Sequence, residues 1–386
     1  MRISRSDGSL LATWWYSVDR SLIVALLILI GVGLVFSLAA SPAVAGKKGL
    51  ELFYFVERHA FFTLLGVPTL LILSFLSSQQ VRRFGLILLL GSLILMLGAL
   101  LFGPEINGAH RWIRMAGQSL QPSEFMKPGF VVISAWLLSE GRKRSDVPAL
   151  LMAICLLGIV LSLLVAQPDV GQSVLISSVW LAMFVVAGYS LLWSLGFIVV
   201  ALLGAIGAYI FLPHVRDRIS SFVNPGRGDG YQIERALQSF REGGVFGRGP
   251  GEGTIKAQLP DSHTDFIFSV IAEEYGIIAC ILLVVIFGFI SLRALAHVRR
   301  LEDPFSRLVV LGMALLFALQ AIINMSVNVG VIPAKGMPLP FISYGGSSFL
   351  GLSITCGFLL AMARPSLQAA RLKNTKFVAS GDELGV

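Results

Sequence analysis

Residues 22–42, LIVALLILIGVGLVFSLAASP, contain no charged side chain. A helix needs about 20 apolar residues to cross the hydrocarbon core of a bilayer, and this run has that length. Ala43-Val44-Ala45 behind it imitates a signal-peptide cleavage site. The apolar run is too long for a signal peptide and further spans follow, so it reads as an uncleaved first helix. Nine more apolar stretches succeed it, at about 59–77, 84–102, 124–139, 147–165, 171–187, 190–212, 266–292, 307–331 and 345–363. Of the 386 residues, 55% are hydrophobic and 13% charged, and the mean hydropathy is +0.81. Soluble domains are near a quarter charged. The expected fold is therefore an all-α polytopic membrane protein of about ten transmembrane helices.

The polar ends set the domain plan: a tail at 1–21, a membrane domain at 22–365 with a long loop at about 213–265, and a second tail at 366–386. No internal repeat or low-complexity segment interrupts it. Cys155, Cys280 and Cys356 all fall inside apolar spans, without disulfide or metal spacing, and read as small packing residues. Ten spans place both termini on one side. That side receives 16 of the 30 basic residues, in short runs at helix ends such as Arg82-Arg83, Arg142-Lys143-Arg144 and Arg299-Arg300. The positive-inside rule makes it cytoplasmic. The whole net charge of +8 then lies on the inner face, against anionic lipid, and no fold or basic-aromatic pattern for nucleic acid accompanies it.

Four loops expected on the outer face carry the unusual chemistry. In NGAHRWIRMAGQSLQPSEFMK, residues 107–127, Arg111 precedes an interfacial Trp112, and Glu124 opens the fourth span with Lys127 one turn deeper. Glu124 reads either as a charge favoured at a helix N-terminus or as a site residue. In QPDVGQ, residues 167–172, Asp169 sits in a short hairpin that could be a simple turn. The loop at 213–265 is far longer than an ordinary connection. Within it Ile233, Leu237 and Phe240 recur at helical spacing, which predicts an amphipathic helix lying on the membrane surface, and Gly243 to Gly251 reads as a flexible turn. In PAKGMPLPFISYGGSS, residues 333–348, three prolines break the helix at a depth where broken backbone must be buried or line a wet cavity.

LPDSHTDFIFSVIAEEYG, residues 259–276, runs from an acidic loop into the eighth span. Asp265 lies at its mouth. Glu273 and Glu274 follow about 12–14 Å deeper at the helical rise. Intramembrane carboxylates are costly and take partners. Lys127 is the expected partner, in an ion pair that joins helices or lines a cavity.

NGAHRW, QPSEFMK, QPDVG, GYQIERALQS, LPDSHTDFIF followed by EE, and PLPFISYGGSS stand in this order over residues 20–365. They resemble the SEDS family, the shape, elongation, division and sporulation proteins of the bacterial cell wall. The resemblance implies peptidoglycan glycosyltransfer from lipid II on the outer face of the cytoplasmic (inner) membrane, with Asp265 catalytic. Arg111, Lys127, Arg216 and Lys335, cations of the outer loops, are the candidates to hold lipid phosphates, and Glu124, Asp169, Gln232, His263 and Ser343 are further candidate substrate contacts. Lys335-Gly336 before the Pro-Leu-Pro run is similar to the division branch (FtsW-like), which works at the septum. The elongation branch (RodA-like), the alternative, usually lacks that lysine. The implied partners are a class B penicillin-binding protein, a transpeptidase, and other divisome proteins. Gln172 departs from a common threonine with no expected effect, and Pro128 is expected to bend the fourth span.

The chemistry agrees with that expectation. Transfer from a polyprenyl diphosphate needs a base for the acceptor hydroxyl, which a carboxylate supplies. The departing diphosphate needs cations, from Arg and Lys or from a bound divalent ion such as Mg or Mn. Two other classes compete with the polymerase: a lipid II flippase, which should show polar groups towards both faces, and a divisome scaffold, which would leave Asp265 without a role.

Overall fold

The computed structural model describes residues 9–47, 49–106, 108–115, 118–144, 146–211, 215–217, 220, 222, 229–333 and 336–364. Lys335 and the tail at 366–386 lie outside the described residues. A short helix α1 (Leu10–Ser17) falls within the expected N-terminal tail. The chain then runs through α2 (Arg20–Lys47), α3 (Tyr54–Leu73), α4 (Ser78–Phe102), α5 (Pro122–Lys143), α6 (Ala149–Ala166), α7 (Val170–Val186) and α8 (Leu191–Phe211). After α9 (Asp229–Gly243) come α10 (Ile267–Val298), α11 (Pro304–Asn328) and α12 (Gly346–Met362). One small antiparallel hairpin, β1 (Ile113–Met115) with β2 (Gln118–Leu120), pairs Ile113 with Leu120 between α4 and α5.

Each of the ten apolar stretches corresponds to one helix, α2 to α8 and α10 to α12. Seven are long and apolar enough to cross a membrane, while α7 and α12 are shorter apolar helices of 17 residues. The fold is a polytopic all-α membrane bundle, as composition and periodicity require. Helices α5, α11 and α12 are buried along much of their length and form its centre. Helix α8 is the opposite case: only Ser194 is buried, Phe197 packs on Trp180 and Phe184 of α7, and most of the remaining apolar surface lies open at the edge of the bundle. Pro128 sits inside α5, which continues through it.

Two readings of the long loop change. Helix α9 does form, but its apolar stripe does not lie against lipid. Ile233 and Ala236 are buried, Phe240 packs on Phe268 of α10 at 5.7 Å, and Ile233 and Leu237 close over Gly330 at the end of α11. The stripe is amphipathic because it covers protein. The glycine-rich segment after it is likewise a packed element. Helix α10 breaks at Gly276 (φ 76°, ψ −178°), which would strand backbone groups at membrane depth. The segment supplies the missing partners: Ile277 N–H donates to Gly244 O (3.0 Å), and the N–H groups of Arg248 and Gly249 donate to Glu273 O (2.9 Å) and Glu274 O (3.0 Å). Such contact requires bare backbone. A Cβ at Gly247 would lie 2.2 Å from Glu274 O, and one at Gly276 would lie 2.3 Å from Val245 O. Both residues also have positive φ, so glycine is needed there twice over.

The same segment answers the two buried glutamates. Glu273 Oε1 accepts the N–H groups of Thr254 (2.6 Å) and Ile255 (2.7 Å), and its Oε2 accepts that of Lys256 (2.9 Å). Glu274 pairs with the ammonium of Lys256 and accepts the N–H of Gly251 at 3.1 Å. Lys256 Nζ also donates to Ala39 O of α2 at 3.1 Å. The expected Lys127 partnership is therefore wrong. Lys256 lies only 17 and 18 residues before the glutamates but outside the apolar span, and the loop that carries it returns into the bundle beside α10 and reaches them first.

Candidate active site

Three buried amides on α11 organise the site. Gln320, Asn324 and Asn328 recur every four residues and so share one face of the helix. Asn324 Nδ2 donates to Asp265 O (2.9 Å) and to Met337 O (2.7 Å). Asn328 Nδ2 also donates to Asp265 O (2.9 Å), while its Oδ1 accepts Ser269 N–H (3.0 Å) and Ser269 Oγ–H (2.7 Å). Gln320 Nε2 donates to Pro338 O at 3.1 Å, and its Oε1 accepts from Lys127 Nζ at 3.0 Å. One helix face thus holds the acidic loop, the proline-rich loop and the fourth span in register.

The His-Thr-Asp segment is locked carbonyl by carbonyl. His263 O accepts Tyr344 N–H (3.0 Å), Thr264 O accepts the Ser343 hydroxyl, and Asp265 O accepts the two asparagine amides. Ser343 Oγ in turn accepts Leu339 N–H at 2.7 Å. The His263 ring lies between Phe55 (4.4 Å) and Tyr344 (5.7 Å). A carboxylate on such a backbone has its Cα placed to within the play of four hydrogen bonds, which is what positioned proton transfer requires. The Asp265 side chain is half-buried, and a Cβ at the exposed Gly336 would stand 3.5 Å from its Oδ2. His263, Asp265 and Ser343 are therefore brought together.

Arg111, Glu124, Lys127 and Asp169 form a second cluster at the same end. The Arg111 guanidinium donates to Gln167 O (2.7 Å) and Pro168 O and stands 3.8 Å from Asp169 Oδ2. Asp169 caps α7 by accepting Gln172 N–H at 3.3 Å. Burial pushes its carboxyl up, and Arg111 opposes the shift. Lys127 Nζ lies 2.9 Å from Glu124, and Glu124 Oε1 accepts Gln172 Nε2–H at 3.1 Å. The two cations balance the two carboxylates. The Lys127 ammonium is closed off by protein oxygens, so its geometry is that of a buried staple between α5 and α11. Gln172, expected to matter little, is a buried link in this network, because an amide spans a gap that a threonine hydroxyl would not.

The remaining candidates scatter. Gln232 is half-buried on α9. Arg216 is exposed on a short helical stretch, and nothing among the described residues joins it to either cluster. Arg58 was not singled out by sequence, yet its Nη1 donates to Gln118 Oε1 (3.0 Å), its guanidinium lies 4.6 Å over the Tyr54 ring, and it stands close to Tyr344 beside His263. Gln320, Asn324 and Asn328 were also missed, although three amides at four-residue spacing in an apolar span were a legible signal. Among the described residues no group of three or more His, Cys, Asp or Glu could hold a metal ion.

The model described as Cell cycle protein, FTSW_RODA_SPOVE, matches residues 20–367. The chain belongs to this FtsW/RodA/SpoVE family. It is 43% identical over 362 residues to the probable peptidoglycan glycosyltransferase FtsW of Caulobacter vibrioides (strain NA1000 / CB15N), covering 94% of this chain and 93% of the relative. A protein of the same name from Trichlorobacter lovleyi (strain ATCC BAA-1151 / DSM 17278 / SZ) is 37% identical over 350 residues, with coverages of 89% and 92%. The fold is similar to a chain of the structure "Structural coordination of polymerization and crosslinking by a peptidoglycan synthase complex", at TM-score 0.74 and 27% identity, covering 90% of this chain and 97% of that one. It is also similar to the Thermus thermophilus rod shape determining protein RodA, at TM-score 0.66 and 26% identity, with the same coverages. The division-branch expectation agrees with these FtsW relatives, which support it without Lys335.

Proposed function

We propose that this FtsW-like chain is a peptidoglycan glycosyltransferase that polymerises lipid II at the outer face of the cytoplasmic membrane during septal wall synthesis. Asp265 is its general base. The carboxylate takes the proton of the acceptor sugar hydroxyl as that oxygen bonds to the donor's anomeric carbon. The bond from that carbon to the diphosphate breaks, and the diphosphate leaves with the electron pair. A diphosphate departs without the acid that glycosidases need for a poor leaving group, so a single carboxylate is chemically adequate. Arg58, beside the acidic loop, is the cation proposed to meet the diphosphate, and Arg216 and Lys335 are the further ones expected from sequence. Arg111 and Lys127 act one step back, holding the hairpin and the spans that shape the cleft.

The observation that carries this reading is the fixed backbone of His263-Thr264-Asp265 at the loop end of the bundle. Four tertiary hydrogen bonds on three consecutive carbonyls are more than a surface turn requires, and they hold one half-buried carboxylate at the mouth of a span. A class B penicillin-binding protein is the proposed partner that crosslinks the product. The test is polymerisation of lipid II by the purified chain, with and without that partner, read as glycan strands on a gel. Strands from the wild-type protein and none from Asp265→Asn are expected. Equal strand synthesis by both proteins would overturn the assignment.

A further inference from the structure

The bundle end away from Asp265 holds a cavity of about 570 Å³ where the start of α2, the end of α10 and the end of α12 meet. Asp19, Arg20, Arg293, His297 and Arg300 line it. An apolar groove of about 520 Å³ runs from it along the outside of α2 and α10, between Val24, Ile28, Val285 and Phe289. Arg20 and Ser21 line both, so the two spaces are continuous. We propose that this combined site binds one anionic diacyl phospholipid of the leaflet at that end, its phosphate between Arg20 and Arg300 and an acyl chain in the groove.

Charge argues for the headgroup. Asp19 is committed to Arg293 Nε (2.7 Å), His297 Nε2 (2.7 Å) and its own helix start. Arg20 rests on aromatic rings, 4.7 Å over Trp15 and 5.7 Å over Tyr16, and its Nε donates to Trp15 O. Among the described residues no carboxylate pairs with Arg20 or Arg300, and both are exposed. With His297 neutral the cavity carries a surplus of two positive charges, a complement for a phosphodiester. Depth argues for lipid over a soluble anion. Helix α1 is tied to the bundle by Trp14, which stacks on Phe75 at 4.5 Å and donates to Ser74 Oγ at 2.9 Å, leaving Leu11, Trp15 and Tyr16 exposed. Exposed Trp and Tyr beside an arginine mark the membrane–water boundary. The cavity is therefore at headgroup level, and the groove, whose Val24, Ile28 and Val285 are all exposed, descends from it into the acyl region.

The test is native mass spectrometry of the purified chain in neutral detergent with equimolar phosphatidylglycerol and phosphatidylcholine. The wild-type protein is expected to retain phosphatidylglycerol about thirtyfold over phosphatidylcholine, the scale of two basic residues at a membrane surface. The double variant Arg20→Gln/Arg300→Gln should lose that preference, and Val285→Trp, which fills the groove at an exposed position, should lower retention about fivefold with the charges intact. All variants alter exposed side chains, and an unchanged thermal transition verifies their fold. Arg83→Gln, at the same end on another helix, should retain lipid as the wild type does. Excess glycerol phosphate should displace nothing. Equal retention of the two lipids, a preference that survives the double variant, an equal loss in Arg83→Gln, no effect of Val285→Trp, or displacement by glycerol phosphate would each overturn the proposal.

Discussion

Asn328 donates its side-chain amide to the backbone carbonyl of Asp265 at 2.9 Å, across 63 residues of sequence. The proposed base is thus held in place by its main chain. Replacing Asn328 or Asn324 with alanine removes a donor to that carbonyl. A net hydrogen bond is worth about 0.5–1.5 kcal/mol, so each variant should polymerise lipid II about two- to tenfold more slowly. Lipid II binding should change little. Initial rates against substrate concentration separate the two effects, and a pure rise in KM would contradict a positioning role.

Asp265→Asn keeps the shape of the side chain and removes the base. Polymerisation should fall by a factor of about 10²–10⁴, while insertion, yield and thermal stability stay as in the wild type. Gel-resolved glycan strands and a thermal scan on the same preparation check both halves of the statement.

Lys127→Met should act on stability before activity. It leaves Glu124 buried without its cation, which costs about 3–5 kcal/mol. The double change Glu124→Gln/Lys127→Met should recover most of that loss. If Lys127 instead held a substrate phosphate, the double variant would fold well and remain inactive. Denaturation midpoints and specific activities of the two variants decide between these roles.

Glu273→Gln replaces an acceptor of three N–H groups with an amide that can accept at one atom only. Charge-assisted hydrogen bonds are worth about 1.5–3 kcal/mol each. Loss of one should speed amide exchange at Thr254, Ile255 and Lys256 by about 10–100-fold. Exchange in α5 should be unaffected. Unchanged exchange at 254–256 would show that the loop is held by other contacts.

Asp19 predicts an acid dependence at the opposite end. Burial alone would raise its carboxyl above the ordinary 3.8, but hydrogen bonds from Ser21, His297 and Arg293 outweigh it and hold the group well below that value. A depressed carboxylate stabilises the fold fully above its unfolded pKa and loses the effect as pH falls through the native pKa. The stability gap between wild type and Asp19→Asn should therefore persist from pH 7 down to about 4 and close only in stronger acid. A gap that closed between pH 7 and 5 would contradict the ion-pair account.

Local chemistry made the ten apolar helices legible in the sequence, with boundaries within about six residues. Apolar length alone determines a span, because unpaired backbone in hydrocarbon leaves the helix as the only open-chain solution. The motifs made the family and the candidate base readable for the same reason: they are contiguous. Partnerships were another matter. Lys127 was the natural mate for Glu273 and Glu274 on grounds of depth, and the fold gives them five N–H or ammonium donors, two of them from Lys256, on a loop that returns to α10. Gly243 to Gly251 looked flexible by composition, and its glycines instead let two backbones touch. Arg111 and Lys127 looked like phosphate ligands by type, and tertiary packing closes both on protein oxygens. Asn324 and Asn328 become meaningful only when α11 lies beside Asp265. Hydrogen-bond partners of buried polar groups are chosen by proximity in space, and proximity across 60 or more residues exists only once the helices have packed.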